Sequence, residues 1–155
     1  MVVAGRFTNK HIVITGVTSG IGRAGALRLA SEGARLTLTG TNPARIAALR
    51  DDIPEAAVVL NDSASRDSGV ELARVIDGGV DGLWLNAGRA TVAAVDQIAV
   101  EDFDSLVATN VRGPFLQLAA IAPMLDDGAA VLVTSSTSPM KQRPARRCTP
   151  RRRPR

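Results

Sequence analysis

The stretch Thr15-Gly16-Val17-Thr18-Ser19-Gly20-Ile21-Gly22 constrains this chain more than any other. It follows His11-Ile12-Val13-Ile14-Thr15, an apolar, β-branched run of the buried-strand type. It leads into a helical apolar pattern that runs from Ile21 through Leu27 and Leu29 to Ser31, with Gly33 placed to end it. Glycines between a strand and a helix permit a sharp turn and let backbone N–H groups approach an anion closely. The helix behind them adds the positive end of its dipole, which suits a phosphate or pyrophosphate. A glycine triplet by itself also fits a plain strand–helix turn, so the surrounding pattern has to decide.

That pattern alternates strand-type and helix-type segments along the body, the signature of a parallel α/β sheet. Arg35–Thr39 reads as a second strand. Asn42-Pro43 supplies an N-cap and first-turn proline for a helix over Ala44–Asp52. Ala57–Leu60 is a third strand, followed by a helix from about Asp67 to Ile76. Gly82–Asn86 and Ala129–Thr134 are the fourth and fifth strands. The spacing between them predicts a long helix from Glu101 to Ala122, interrupted near Gly113-Pro114.

Charge divides the chain in two. All 15 acids precede residue 128, whereas eight of the 19 basic residues lie from Lys141 onward, so the first 140 residues carry 11 basic groups against 15 acids. The net charge of +4 therefore belongs to the tail, and the body is acidic. Residues 141–155 have no apolar period and are broken repeatedly by proline, which predicts disorder. Residues 1–144 are read as one incomplete nucleotide-binding domain and 145–155 as a disordered basic tail. The longest uncharged apolar run, Gly113 to Leu125, is too short to span a bilayer and contains Pro114 and Pro123. The N-terminus lacks a hydrophobic signal core, so a cytoplasmic location is expected. The lone Cys148 rules out an internal disulfide and a cysteine-based zinc site, and no metal is expected.

Four further landmarks follow the glycine turn in order: Asp62 after the third strand, Asn86-Ala87-Gly88 at the end of the fourth, Asn110 in Thr109-Asn110-Val111-Arg112-Gly113, and Ser135-Ser136 at the end of the fifth. Singly, each has an ordinary explanation. Asn86 would cap a strand end, Asp62 would sit in a turn, Asn110 would be a solvated helix side chain and the serines would be loop hydroxyls. Together and in this order they resemble the short-chain dehydrogenase/reductase family over about residues 8–140. The resemblance implies a Rossmann-like doubly wound parallel sheet. It also implies an NAD(P)-dependent oxidoreductase that moves a hydride between a nicotinamide cofactor and a small carbonyl or alcohol substrate, homo-oligomeric in its intact form. Gly16, Thr18, Ser19, Gly20, Ile21, Gly22, Thr41, Asp62, Ser63, Asn86, Ala87 and Gly88 are then cofactor-binding candidates. Ser136 and Asn110 are the catalytic candidates, the serine orienting the carbonyl and the asparagine helping to hold a proton-relay water. His11, on the strand before the turn, is read as structural.

Two features depart from that family. First, its proton donor is a tyrosine paired with a lysine four residues on, and this sequence contains no tyrosine and only Lys10 and Lys141. In the alternative reading frame, the codons of Cys148 and Thr149 give tyrosine or histidine, and those of Arg152 and Arg153 can give lysine four codons later. Residues from about Ala145 onward are therefore expected to be frameshifted and the later strands missing, which would leave apolar surface exposed. The competing reading of the arginine cluster as a nucleic-acid contact has no aromatic interleaving to support it and an acidic body against it. The other alternative is a non-catalytic dinucleotide-binding remnant. Second, the end of the second strand reads Thr39-Gly40-Thr41-Asn42 without the carboxylate that selects NAD. NADP is expected over NAD, with Thr41, Asn42 and Arg45 as candidate phosphate contacts. Neither a membrane nor a nucleic-acid partner is expected.

Overall fold

The computed structural model describes residues 5–91 and 94–136. Within them the chain runs β1 (His11–Thr15), α1 (Gly20–Ser31), β2 (Arg35–Gly40), α2 (Pro43–Asp52), β3 (Ala57–Leu60), α3 (Ser68–Ala73), β4 (Val80–Leu85), α4 (Val100–Val107), α5 (Gly113–Ile121) and β5 (Leu125–Val133). The strands form one parallel sheet in the order β3-β2-β1-β4-β5, a doubly wound, Rossmann-like arrangement. All five residues of β1 are buried because it lies at the centre of the sheet. Its alternation feeds two cores: Ile12 and Ile14 pack with Ala26, Ile46 and Leu49 of α1 and α2, while Val13 packs with Leu72, Leu83 and Ile121 on the opposite face.

The expected strands and helices recur with shifted ends. Asn42 caps α2 as expected, its Oδ1 accepting from the Arg45 N–H at 3.0 Å, with Pro43 in the first turn. The helix expected from Asp67 to Ile76 contracts to α3, and Arg74 and Val75 continue it only as a turn. The long helix is continuous in direction, but its interruption precedes Gly113 as a π-helical turn over Ala108–Arg112. Pro114 explains the widening, since its missing N–H cannot serve the Asn110 carbonyl four residues back. β4 begins earlier than expected, at Val80, and β5 at Leu125 with an irregular register opposite Val80 and Gly82.

Among the described residues, two groups of exposed apolar side chains stand out. β5 shows Val131, Leu132 and Val133 to solvent, and the α4–α5 helix shows Val100, Phe103, Val107, Val111 and Phe115. Among the described residues no helix is long and apolar enough to cross a membrane. Lys141 and the whole basic tail lie outside the described residues.

His11 is buried at the opposite end of β1 from the glycine turn. Its Nε2 meets Thr37 Oγ1 at 2.8 Å, and its Nδ1 lies 2.9 Å from both the Gly79 carbonyl and the Arg35 guanidinium. Burial holds its pKa below 6.5, aided by Arg35 and opposed by the Gly79 carbonyl and by Asp81 and Asp77. The unfolded chain therefore binds the proton more readily than the folded one. Unfolding free energy should rise with pH through the interval just below 6.5, by at most about 1.4 kcal/mol per pH unit, and level off above it. His11 is the only histidine, so His11→Gln should flatten that slope in denaturant titrations run across the interval. A slope unchanged in the variant would place its origin elsewhere.

Candidate functional site

The turn between β1 and α1 is built by backbone contact. Gly16 sits at φ +71, and a methyl group there would come within 2.6 Å of the Ala87 Cα. The end of β1 and the end of β4 thus touch main chain to main chain. Asn86 locks the contact. Its Nδ2 donates to the carbonyls of Thr15 and Gly16 at 3.2 and 3.1 Å, and Thr15 Oγ1 accepts from the N–H groups of Asn86 and Ala87, each at 3.1 Å. A side chain on Gly22 would run into that same Asn86 amide. Thr134, at the end of β5, extends the lock: it accepts from the Trp84 indole at 2.9 Å and donates to Asn86 Oδ1 at 3.0 Å. Val17 N–H reaches the Thr39 carbonyl at 2.9 Å and ties the turn to β2.

Behind the turn, Ser19 is the extended N-cap of α1 and makes no capping bond through its side chain. Gly20, at φ +57, faces open space, since a methyl group there would meet nothing within 4 Å. The result is a bare helix N-terminus opening onto a concave backbone surface.

Two further loops complete the site. After β3, Asp62 Oδ1 accepts from Ala64 N–H at 2.9 Å, which forms a tight turn and exposes the carboxylate. After β4, Arg89 is held by Asn110, whose Oδ1 accepts from the Arg89 N–H and whose Nδ2 donates to the Arg89 carbonyl, both at 2.9 Å. Asn110 lies in the π turn, which rotates it out of α-helical register toward that loop. These segments enclose a cleft of about 1200 Å³ along the carboxyl ends of all five strands, above the ~300–1,000 Å³ usual for a small ligand.

Of the residues singled out in the sequence, Gly16, Thr18, Ser19, Gly20, Ile21, Thr41, Asp62, Ser63, Asn86, Ala87, Gly88, Asn110 and Ser136 all line this cleft. Gly22 lies beneath it, buried against Asn86. Asn42 spends its carbonyl on capping α2, and Arg45 is exposed on the outer side of that cap. Sequence reasoning passed over Thr15, Thr134 and Arg89. The two threonines end strands whose apolar runs concealed a polar role, and nothing local marks Arg89 as the partner of a residue 21 positions away.

Residues 10–147 match the family model described as short chain dehydrogenase. The chain is 40% identical over 136 residues to an uncharacterised oxidoreductase of Mycobacterium tuberculosis strain H37Rv, covering 82% of this chain and 50% of that protein. It is 33% identical over 150 residues to a glucose 1-dehydrogenase of Gluconobacter oxydans, covering 90% of this chain and 56% of that one. Among solved structures it resembles a short chain dehydrogenase from Burkholderia cenocepacia in complex with NADP, with a TM-score of 0.77 and 31% identity over 84% of this chain and 57% of that one. The chain spans about half the length of the curated relatives it matches.

The two positive-φ glycines should respond differently to substitution. Gly20→Ala meets only the backbone penalty, about 1–2 kcal/mol. Gly16→Ala adds collision with the Ala87 main chain, and its loss of stability should exceed that of Gly20→Ala by a further ~1–3 kcal/mol. Thermal or denaturant unfolding of both variants checks the order, and equal losses would remove the proposed backbone contact.

Proposed function

The chain belongs to the short-chain dehydrogenase family, and from that premise we propose that it is the dinucleotide-binding part of an NAD(P)-dependent oxidoreductase acting on a small carbonyl or alcohol. The observation that carries this reading is the cleft itself, where the glycine turn, the Asn86 lock, Asp62, Asn110 and Ser136 meet along the carboxyl ends of parallel strands. The residues present fit a dinucleotide. The open space at Gly20 and the uncapped start of α1 leave room for a pyrophosphate where backbone N–H groups converge. When bound, the nicotinamide ring gives or takes the hydride.

The chain's own residues divide the remaining tasks. Asp62 and Ser63 line the adenine end, while Ala87 and Gly88 form a wall too slender to obstruct the ribose chain. Asn86 acts by holding the turn in shape, because both polar atoms of its side chain are already bonded within the protein. Ser136 lines the cleft, where its hydroxyl orients a carbonyl oxygen, and Asn110, whose side chain is bonded at both polar atoms to Arg89, helps to hold the water that relays a proton through its main chain. At the end of β2 the described lining carries Gly40 and Thr41 and no carboxylate, which favours NADP over NAD.

The sequence contains no tyrosine, and this favours a second statement: the 155 residues as written bind the cofactor without turning over substrate. The nucleotide sequence of the gene decides directly whether the reading frame changes from about Ala145. For the parent protein we propose a cytoplasmic homo-oligomer. The stripe Val100, Phe103, Val107, Val111 and Phe115, all exposed at helical spacing on one long helix, supports self-association.

Titration of the purified chain should show NADP⁺ and NADPH binding more tightly than NAD⁺ and NADH, with Asp62→Ala weakening both, and no oxidation of NADPH in the presence of carbonyl compounds. Tighter binding of NAD⁺ would overturn the cofactor preference. Failure to bind either dinucleotide would overturn the function, and steady NADPH consumption would overturn the second statement. Phe103→Lys with Phe115→Lys should shift the chain toward monomer in sedimentation measurements.

A further inference from the structure

One buried residue on α5 is chemically out of place. Gly113, Gln117 and Ile121 form the face of α5 turned inward, and Gln117 is fully buried. An apolar side chain would fill that space without a desolvation cost. Instead, the Gln117 amide donates from Nε2 to Asn61 Oδ1 at 3.2 Å and to Ser63 Oγ at 3.1 Å. Its own Oε1 has no hydrogen-bond partner among the described residues, so packing alone does not account for it.

Its two partners flank Asp62 on the loop that lines one end of the cleft. Asn61 passes the connection on, its Nδ2 donating to the Ser68 carbonyl at 3.1 Å and to the Glu71 carboxylate at 3.2 Å, both on α3. Five residues before Gln117, Arg112 donates to the Ala64 carbonyl at 2.6 Å. Gly113 lets α5 approach closely enough, since a methyl group there would strike the Ser63 carbonyl. The same helical rod carries Asn110, which holds the opposite lip of the cleft through Arg89. One rod thus grips both lips, and Gln117 is its buried attachment on the Asp62 side.

We propose that Gln117 is a positioning residue for the cofactor: by donating to Asn61 and Ser63 it holds the Asp62 loop at the distance from the glycine turn that an adenine nucleotide requires. This rests on the reading of the cleft as a dinucleotide site. Without the donor the loop keeps its own Asx turn at Asp62 but loses its attachment to the rod, so binding weakens while the fold persists.

The test uses the full chain with ADP and NADPH as probes. Gln117→Met keeps the volume and removes the donor, and it should weaken both ligands about tenfold. Ser63→Ala should weaken them too, and the double variant should be no weaker than the worse single one, because both changes break the same link. Gln117→Glu supplies the readout that a space-filling role would not produce. Protonated, its single hydroxyl proton can replace one of the two bonds the amide donates; ionised, it can only accept, and it adds charge near Glu71 of α3 and Asp62 of the loop, with Arg112 the nearest cation in sequence on the rod. Its affinity for ADP should therefore approach that of the native chain at low pH and fall as pH rises, relative to the native profile measured alongside. Native-like affinity of Gln117→Met and Gln117→Glu at every pH, in a chain whose native form binds ADP, would overturn the proposal while leaving the dinucleotide reading intact. A native chain that binds neither probe would overturn both. Should Gln117→Met fail to fold, the pH profile of Gln117→Glu still decides.

Discussion

The cleft depends on main-chain contact between the end of β1 and the end of β4. Two parallel strands joined in a sheet diverge at their carboxyl ends, and here the gap is closed by glycine on one side and an asparagine amide on the other. Gly16 lies against Ala87, Gly22 lies against the Asn86 amide, and that amide reaches back to the carbonyls of Thr15 and Gly16. Carbonyls leaving a strand end have no ladder partner, so Asn86 satisfies groups that the sheet leaves open. Thr15 accepts from the N–H groups of Asn86 and Ala87, and Thr134 donates to the Asn86 amide oxygen. The lock sets the start of α1, and with it the direction in which the positive helix end faces the cleft.

Opposite this lock stands a single long helix with a deliberate irregularity. A regular α-helix from 100 to 121 would carry Asn110 about one residue's rotation away from the Arg89 loop. The π turn over Ala108–Arg112 takes up that rotation, and the proline that permits it, Pro114, lies two residues beyond. The cost is a stretch of weaker helical bonding, offset by the paired hydrogen bonds of Asn110 and by the links from Arg112 and Gln117 to the loop after β3. Ser105, Thr109 and Asn110 of this helix line the cleft and Arg112 and Gln117 reach the loop after β3, while its apolar stripe from Val100 to Phe115 is exposed.

Much of this was legible in the chain. The β1 run, the glycine turn and the Asn42-Pro43 start of α2 are local signals, each set by dihedral preference or by the need to satisfy helix-end donors. The order of strand and helix segments then limits the sheet to parallel pairing with crossover helices. Asp62, Asn86 and Ser136, each following a strand, and Asn110, within the long helix, were singled out by their joint order and its family resemblance, and all four line the cleft. His11 was read as structural, and its burial between Thr37, Gly79 and Arg35 agrees.

Other features had no local signature. Gln117 falls among apolar residues at a helical spacing that reads as core, and only the approach of Asn61 and Ser63, more than 50 positions earlier, makes it a donor with a purpose. Thr134 and Arg89 gain their roles from partners 48 and 21 residues away. The sequence by itself determined which segments are strands and helices and where a glycine turn opens a helix N-terminus, because dihedral preference and side-chain period are properties of neighbouring residues. Only the tertiary structure decided how wide the cleft is and which side chains hold its lips, because those depend on hydrogen bonds between segments that chain proximity does not bring together.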